Sequence, residues 1–233
     1  MTNTLHRYSE HYASHRPIDA APIGDDFIVF AMATRDVNDQ GIVEKYRTFL
    51  RLALKYKPVN LGDASKGALY QPSKALNPSV HWRRKQQPDP ERVIAEIDGH
   101  TTVAAVFDSE GAMEGFVRDL KAADLGVSVN ISAPMDAACR CCEQVGIVRH
   151  SVEYSLGFHG QKDRLPERRV LEIATMCGHG MVSFGFVRKM IDWVKEGRCR
   201  PSEAVRTMAR FCICGVFNIS RAGRLLEEAR RSP

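Results

Sequence analysis

Short apolar runs alternate with amphipathic stretches along the first two thirds of the chain, and this alternation constrains the fold most. Five segments have the length and composition of strands: residues 27–32, 93–97, 103–107, 127–131 and 148–156. Three segments carry apolar residues three and four positions apart, as amphipathic helices do: residues 41–57, 110–123 and 135–145. This order predicts an α/β fold with a βαβαβ core and short right-handed crossovers.

The rest of the chain predicts a mainly helical C-terminal subdomain. Its expected helices cover residues 166–175, 184–196, 201–211 and 219–230. We therefore expect an irregular arm over residues 1–24, an α/β domain over 25–160 and a helical, cysteine-containing subdomain over 161–233. Prolines and the run Arg83–Gln87 predict a long loop over 59–92 inside the α/β domain. Its role as a lid, an interface or a mobile segment stays open.

Charge is distributed unevenly between the two parts of the chain. Residues 160–233 hold 15 Lys or Arg and 8 Asp or Glu, a balance of +7, whereas the preceding residues balance at −2. A positive field of this kind favours thiolates, an anionic cluster or an acidic substrate. Solvated Arg-rich helix faces explain the same excess equally well.

The cysteines and the opening segment indicate a compartment. Seven cysteines cannot all pair within one chain. The opening residues contain no apolar run of the secretory type, and no apolar stretch approaches the roughly 20 residues of a membrane-spanning helix. We therefore expect a cytoplasmic protein without a membrane partner, in which clustered cysteines bind a metal or carry redox chemistry.

Two cysteine motifs lie between predicted helices. The first, Met176–Met181, contains Cys177 and His179, and the second, Phe211–Gly215, contains Cys212 and Cys214. In an extended segment, residues i and i+2 point to the same side, so Cys212 and Cys214 are expected to face one centre. Adjacent glycines let backbone N–H groups turn toward sulfur.

Several chemistries fit these motifs. Cys177, Cys212 and Cys214 would hold a [4Fe–4S] cluster with one open iron, which is a Lewis-acid site. Together with His179 the same cysteines would hold Zn²⁺ as a Cys₃His site. A Cys212–Cys214 redox pair, a reactive thiolate at Cys177 and three buried cysteines without chemistry are the alternatives. Neither motif has the C-x₂-C spacing that marks zinc ribbons and bacterial ferredoxins.

Other residues outside this centre are also candidates for function. His159, in Gly157–Gly160 after the last predicted strand, is a candidate general acid or base, or else a turn histidine. Cys139, Cys141 and Cys142 fan around one predicted helix, which favours packing over a shared metal, although their role stays open. The segment Gly178–Ser183 departs from the dinucleotide-binding fingerprint.

The predicted function is a metal- or iron–sulfur-dependent cytosolic enzyme, of lyase or oxidoreductase type, that acts on a small anionic substrate. Its catalytic candidates are His159 and His179. The alternative is a non-catalytic module that senses redox state or binds a partner or nucleic acid, with structural zinc or free thiols. Nucleic-acid binding is the weaker form of this alternative, because the connection between the last two helices is longer than in a helix-turn-helix.

Overall fold

Strand residues alternate between two apolar layers, as the period of two along a strand requires. The computed structural model describes residues 26–71, 88–152 and 160–231. Its five strands are β1 Phe27–Met32, β2 Asn60–Asp63, β3 Gly67–Ala68, β4 Thr102–Phe107 and β5 Ser128–Ser132. The α-helices are α1 Ile42–Leu54, α2 Pro90–Ala95, α3 Glu110–Ala123, α4 Met135–Val145, α5 Arg168–Ala174, α6 Phe184–Lys195, α7 Pro201–Ala209 and α8 Ile219–Arg231.

The sheet has the order β3–β2–β4–β1–β5, and every neighbouring pair is antiparallel. β1 and β2 run in the same direction with β4 between them, and β4 and β5 run in the same direction with β1 between them. Each βαβ unit is therefore split by a strand of the other unit. The mixed α/β class is confirmed, whereas the predicted βαβαβ core with short right-handed crossovers is not confirmed, because every neighbouring pair of strands is antiparallel.

Helices cover both faces of the sheet. Alternate residues Val29, Ala105 and Phe107 pack against α1–α4 in one core. Ile28, Ala104 and Val106 face the other way and pack against α5–α8. The C-terminal helices thus lie directly on the sheet, and the proposed domain boundary near residue 160 stays a prediction.

Three local predictions differ from the structure. Residues 93–97, expected as a strand, fall mostly in α2, because Asp89 caps its N-terminus by accepting from the Arg92 N–H at 3.2 Å. The expected 59–92 loop contains the β2–β3 hairpin and the first turn of α2, while its residues 72–87 lie outside the described part. Residues 148–152 form no strand, and residues 153–156 and the arm 1–24 lie outside the described residues.

The remaining predicted helices and strands match the observed elements to within a few residues. In the described ranges, no helix combines the length and apolar character that crossing a membrane requires.

Candidate cysteine–histidine centre

Two chain segments, the first arm and the second arm, supply the side chains of the cysteine–histidine centre. The first arm, Met176–Met181, follows the end of α5. A 3₁₀ turn over Thr175–Cys177 follows the helix and ends at Gly178, whose φ of 72° only glycine adopts readily. This reversal leaves Cys177 completely buried and places His179 on the exposed side of the loop. One short segment thereby supplies an interior sulfur and a solvent-facing imidazole.

The second arm is the connection between α7 and α8. Cys212 is fully buried, and Cys214 is 7% exposed. The segment is held by the Asn60 side chain of β2, which donates to the Phe217 carbonyl at 2.9 Å. Because connecting segments normally run over the surface, a buried connection with such an anchor indicates that its placement is specified by the fold.

Two glycines allow this arm to touch the sheet. A Cβ on Gly215 would lie 2.4 Å from the Leu61 carbonyl carbon, and a Cβ on Gly62 would lie 2.7 Å from the Cys214 carbonyl carbon. Gly215 also has a φ of 76°. Backbone therefore packs on backbone here, which explains why β2 requires a glycine at position 62.

The four predicted side chains meet. The Sγ atoms of Cys212 and Cys214 are 4.0 Å apart, and Cys214 Sγ is 3.5 Å from His179 Nδ1. Cys177 joins the group through a hydrogen bond with the Cys212 thiol. The predicted convergence of two motifs that are 35 residues apart is thus observed.

Hydrogen bonds distribute the protons unevenly over the three sulfurs. The bond with Cys212 lowers the pKa of Cys177 to about 6, and the His179 and Met181 backbone N–H groups also lower it. Cys212 likewise lowers the pKa of Cys214 to about 5, with further help from His179 and the Val216 N–H. The pKa of Cys212 itself is raised by its bonds to the other two sulfurs and by burial.

His179 completes the charge arrangement. Its pKa is raised, chiefly by the hydrogen bond with Cys214. A thiolate at Cys214 and an imidazolium at His179 therefore stabilise each other. These shifts favour thiolates at Cys177 and Cys214, a thiol at Cys212 and a protonated imidazole at His179. Such a cluster suits metal ligation or thiol chemistry.

A buried ion network that the sequence reasoning missed lies behind the two arms. Arg221 of α8 contacts Asp26 at 3.2 Å and Glu172 of α5 at 3.8 Å. The Asn218 amide donates to Asp26 at 3.1 Å, and its Oδ1 accepts from the Arg221 N–H at 2.9 Å. The network joins the helix before Cys177 to the helix after Cys214. Of its members, only Asn218, at a helix N-cap position, carried a recognisable sequence signal.

The separations resemble those around one tetrahedral ion. With Zn–S near 2.3 Å and Zn–N near 2.0 Å, tetrahedral geometry gives S···S of about 3.8 Å and S···N of about 3.5 Å. The observed values are 4.0 and 3.5 Å. In the described ranges, however, no group of three or more His, Cys, Asp or Glu side chains has the geometry to hold a metal ion as it stands.

The other candidate residues lie elsewhere. His159 lies outside the described residues, so its expected role stays a prediction. Cys141 of α4 is buried in the core on the other face of the sheet, Cys142 is also buried, and Cys139 is half-buried. Burial raises the pKa of Cys141 to about 11 and also raises that of Cys142. These features agree with a packing role for α4.

Comparison with known proteins finds no matching family model, no similar curated protein and no similar solved structure.

Proposed function

We propose that the chain is a metal-dependent enzyme whose centre is held by Cys177, Cys212 and Cys214, with His179 at the fourth, exposed position. The observation that carries the proposal is the convergence of three thiols and one imidazole from two arms of the chain. Metal ligation requires deprotonated cysteines, and the pKa values of Cys177 and Cys214 already lie below neutrality.

A single thiophilic ion such as Zn²⁺ is the first candidate, because the two separations given above suit one tetrahedral ion. Loss of the Cys212 proton and small side-chain rotations would let all three sulfurs and the imidazole bind one ion. A bound Zn²⁺ supplies Lewis-acid activation of a substrate oxygen or of water. His179 is the only exposed member of the group, so exchange with substrate is expected at its position.

A [4Fe–4S] cluster on the same three cysteines is the second candidate. Backbone N–H groups of His179, Met181 and Val216 are directed at sulfur, which is common around iron–sulfur clusters. Ligands on different irons lie about 6 Å apart, so Cys212 and Cys214 would have to separate. In either case the positive balance of residues 160–233 favours a small anionic substrate.

The test is metal analysis of protein purified both in air and without oxygen. About one zinc per chain, or iron with acid-labile sulfide and a visible absorption band, supports the first or the second candidate respectively. Either signal must disappear in Cys177→Ala and Cys214→Ala. It must persist in the matched control Cys199→Ala, since Cys199 lies in the loop after α6. Folded wild-type protein that takes up neither metal nor cluster on reconstitution overturns the proposal.

The non-catalytic alternative makes a different prediction. Arg221 at the start of α8 is 5% exposed and holds two carboxylates, so it is not available to a nucleic acid, whereas Arg224 and Arg230 of the same helix are exposed. Salt-dependent retention on nucleic acid by protein without metal would favour this alternative.

A further inference from the structure

The two sulfurs of the second arm have a chemistry that requires no metal. Cys212 and Cys214 are separated by one residue, and their Sγ atoms are 4.0 Å apart. A disulfide needs an S–S distance of about 2.05 Å, and a change of χ1 rotamer moves a sulfur by about 3 Å. Ile213 and Cys214 lie in a turn, so the segment is already bent toward pairing.

We infer that Cys212 and Cys214 form a dithiol oxidation site that reduces hydrogen peroxide and becomes an intraloop disulfide. This inference uses two cysteines of the proposed metal centre, but it holds whether or not a metal binds there.

Burial identifies both the oxidant and the first sulfur to react. Cys177 and Cys212 are completely buried, whereas Cys214 retains 7% exposure and contacts His179 on the exposed loop. Bulky disulfides cannot reach sulfur through so small an opening, but hydrogen peroxide is close to water in size. Peroxide therefore meets Cys214 first, and Cys212 is the neighbouring thiol that resolves the product.

The two steps balance. The Cys214 sulfur attacks one peroxide oxygen, the O–O bond breaks, and the other oxygen leaves as water with the proton of the Cys214–His179 hydrogen bond, which leaves a sulfenic acid on Cys214. The Cys212 sulfur then attacks the Cys214 sulfur, the S–O bond breaks, and the hydroxyl group leaves as a second water with the Cys212 proton. Two thiols are oxidised by two electrons, and one peroxide is reduced to two waters.

Tryptic peptides report the result directly. Cleavage after Arg210 and Arg221 releases residues 211–221, which contain both Cys212 and Cys214, while Cys177 belongs to residues 170–188. The full-length protein is treated with hydrogen peroxide, as purified and again after chelation of metal, and is then alkylated and digested. We expect peptide 211–221 to lose two hydrogen atoms and to escape alkylation, whereas peptide 170–188 stays alkylated.

Two variants isolate the sequence of steps. Cys212→Ser should leave Cys214 as a sulfenic acid that a 1,3-diketone probe captures, and Cys214→Ser should abolish disulfide formation. Cys139→Ser, on the half-buried thiol of α4, is the matched control and should react as the wild type does. A cross-link between peptides 170–188 and 211–221, or unchanged thiols in chelated wild-type protein, would overturn the inference. If only the chelated protein reacts, the disulfide forms in the metal-free protein, and the metal proposal is unaffected.

Discussion

Two groups of buried cysteines occupy this molecule, and they differ in chemistry although their burial is similar. Cys141 on α4 is 1% exposed and Cys214 is 7% exposed. Burial raises the pKa of Cys141 to about 11, yet hydrogen bonds from Cys212 and His179 lower that of Cys214 to about 5. The comparison shows that the partners of a buried thiol, more than its burial, decide whether it is inert or ionised.

Backbone shape explains why only one group has such partners. Cys139, Cys141 and Cys142 follow one regular helix, which directs consecutive side chains to different faces. Cys177, Cys212 and Cys214 lie at turns, where positive-φ residues Gly178 and Gly215 reverse the chain. Turns can aim several side chains and N–H groups at one point, whereas a single helix cannot.

The largest expected effect is a loss of stability when a positive-φ glycine is replaced by alanine. One such glycine lies beside each group of cysteines, so the two replacements compare their backbones. In Gly215→Ala the new Cβ would meet β2 backbone at 2.4 Å, so we expect a loss of about 3 kcal/mol or more in unfolding free energy. In Gly146→Ala, after α4, the nearest atom is Lys121 Nζ at 3.3 Å, which is the far end of a side chain and not backbone. The loss there should be about 1 kcal/mol. Urea unfolding measures both, and equal losses would contradict the packing described for Gly215.

The next largest expected effect is a difference in thiolate absorbance between folded and unfolded protein near neutral pH. Because the pKa values of Cys177 and Cys214 are about 6 and 5, both should contribute ultraviolet thiolate absorbance in metal-free protein. Urea-unfolded protein at the same pH should show far less, since a free cysteine titrates near pH 8.5. Cys214→Ser should remove a large part of the folded signal, whereas Cys141→Ala should leave it intact. Equal absorbance before and after unfolding would refute the assigned ionisation.

A smaller effect isolates the imidazole. His179→Ala removes a hydrogen bond and a positive charge from Cys214, so the pKa of Cys214 should rise, while its bond with Cys212 keeps it below that of an isolated thiol. The thiolate titration of metal-free protein measures the shift. His150→Ala is the matched control, since His150 is an exposed histidine distant in sequence from the centre. A titration that His179→Ala does not change would show that Cys212 and the Val216 N–H set the ionisation without the imidazole.

The same comparison shows what sequence reasoning can reach. The motif spacing predicted which sulfurs converge, because cysteines flanked by glycines between helices have little reason to serve packing alone. It could not predict the Arg221–Glu172–Asp26 network, since these residues also fit surface positions on amphipathic helices and a loop. It also misassigned residues 93–97, because a short apolar run satisfies a strand and a buried helical turn equally well.

The antiparallel sheet was missed for a related reason. Alternating strand and helix signals do not reveal which strands become neighbours, and a split βαβ arrangement produces the same order along the chain as adjacent crossovers. Only the pairing of β1 between β4 and β5 decides this, and such pairing depends on contacts distant in sequence.

The smallest effect concerns Cys141, the inert member of the comparison. Cys141→Ala should cost about 1 kcal/mol through lost packing, without changing the metal content or the peroxide reaction. Because the folded-state pKa of Cys141 is raised to about 11, its contribution to stability is present below the unfolded pKa and is lost as the pH rises through 11. The difference between wild type and variant should therefore shrink at alkaline pH.

Cys214, whose pKa is lowered, has the opposite sign: its contribution to stability grows as the pH rises from about 5 toward the unfolded value. The urea midpoint of Cys141→Ala should thus approach that of wild type as the pH rises toward 11, whereas the midpoint of Cys214→Ser should fall further below wild type as the pH rises from about 5 to the unfolded value. Differences from wild type that stay constant with pH in both variants would show that the two buried thiols do not differ in the way proposed.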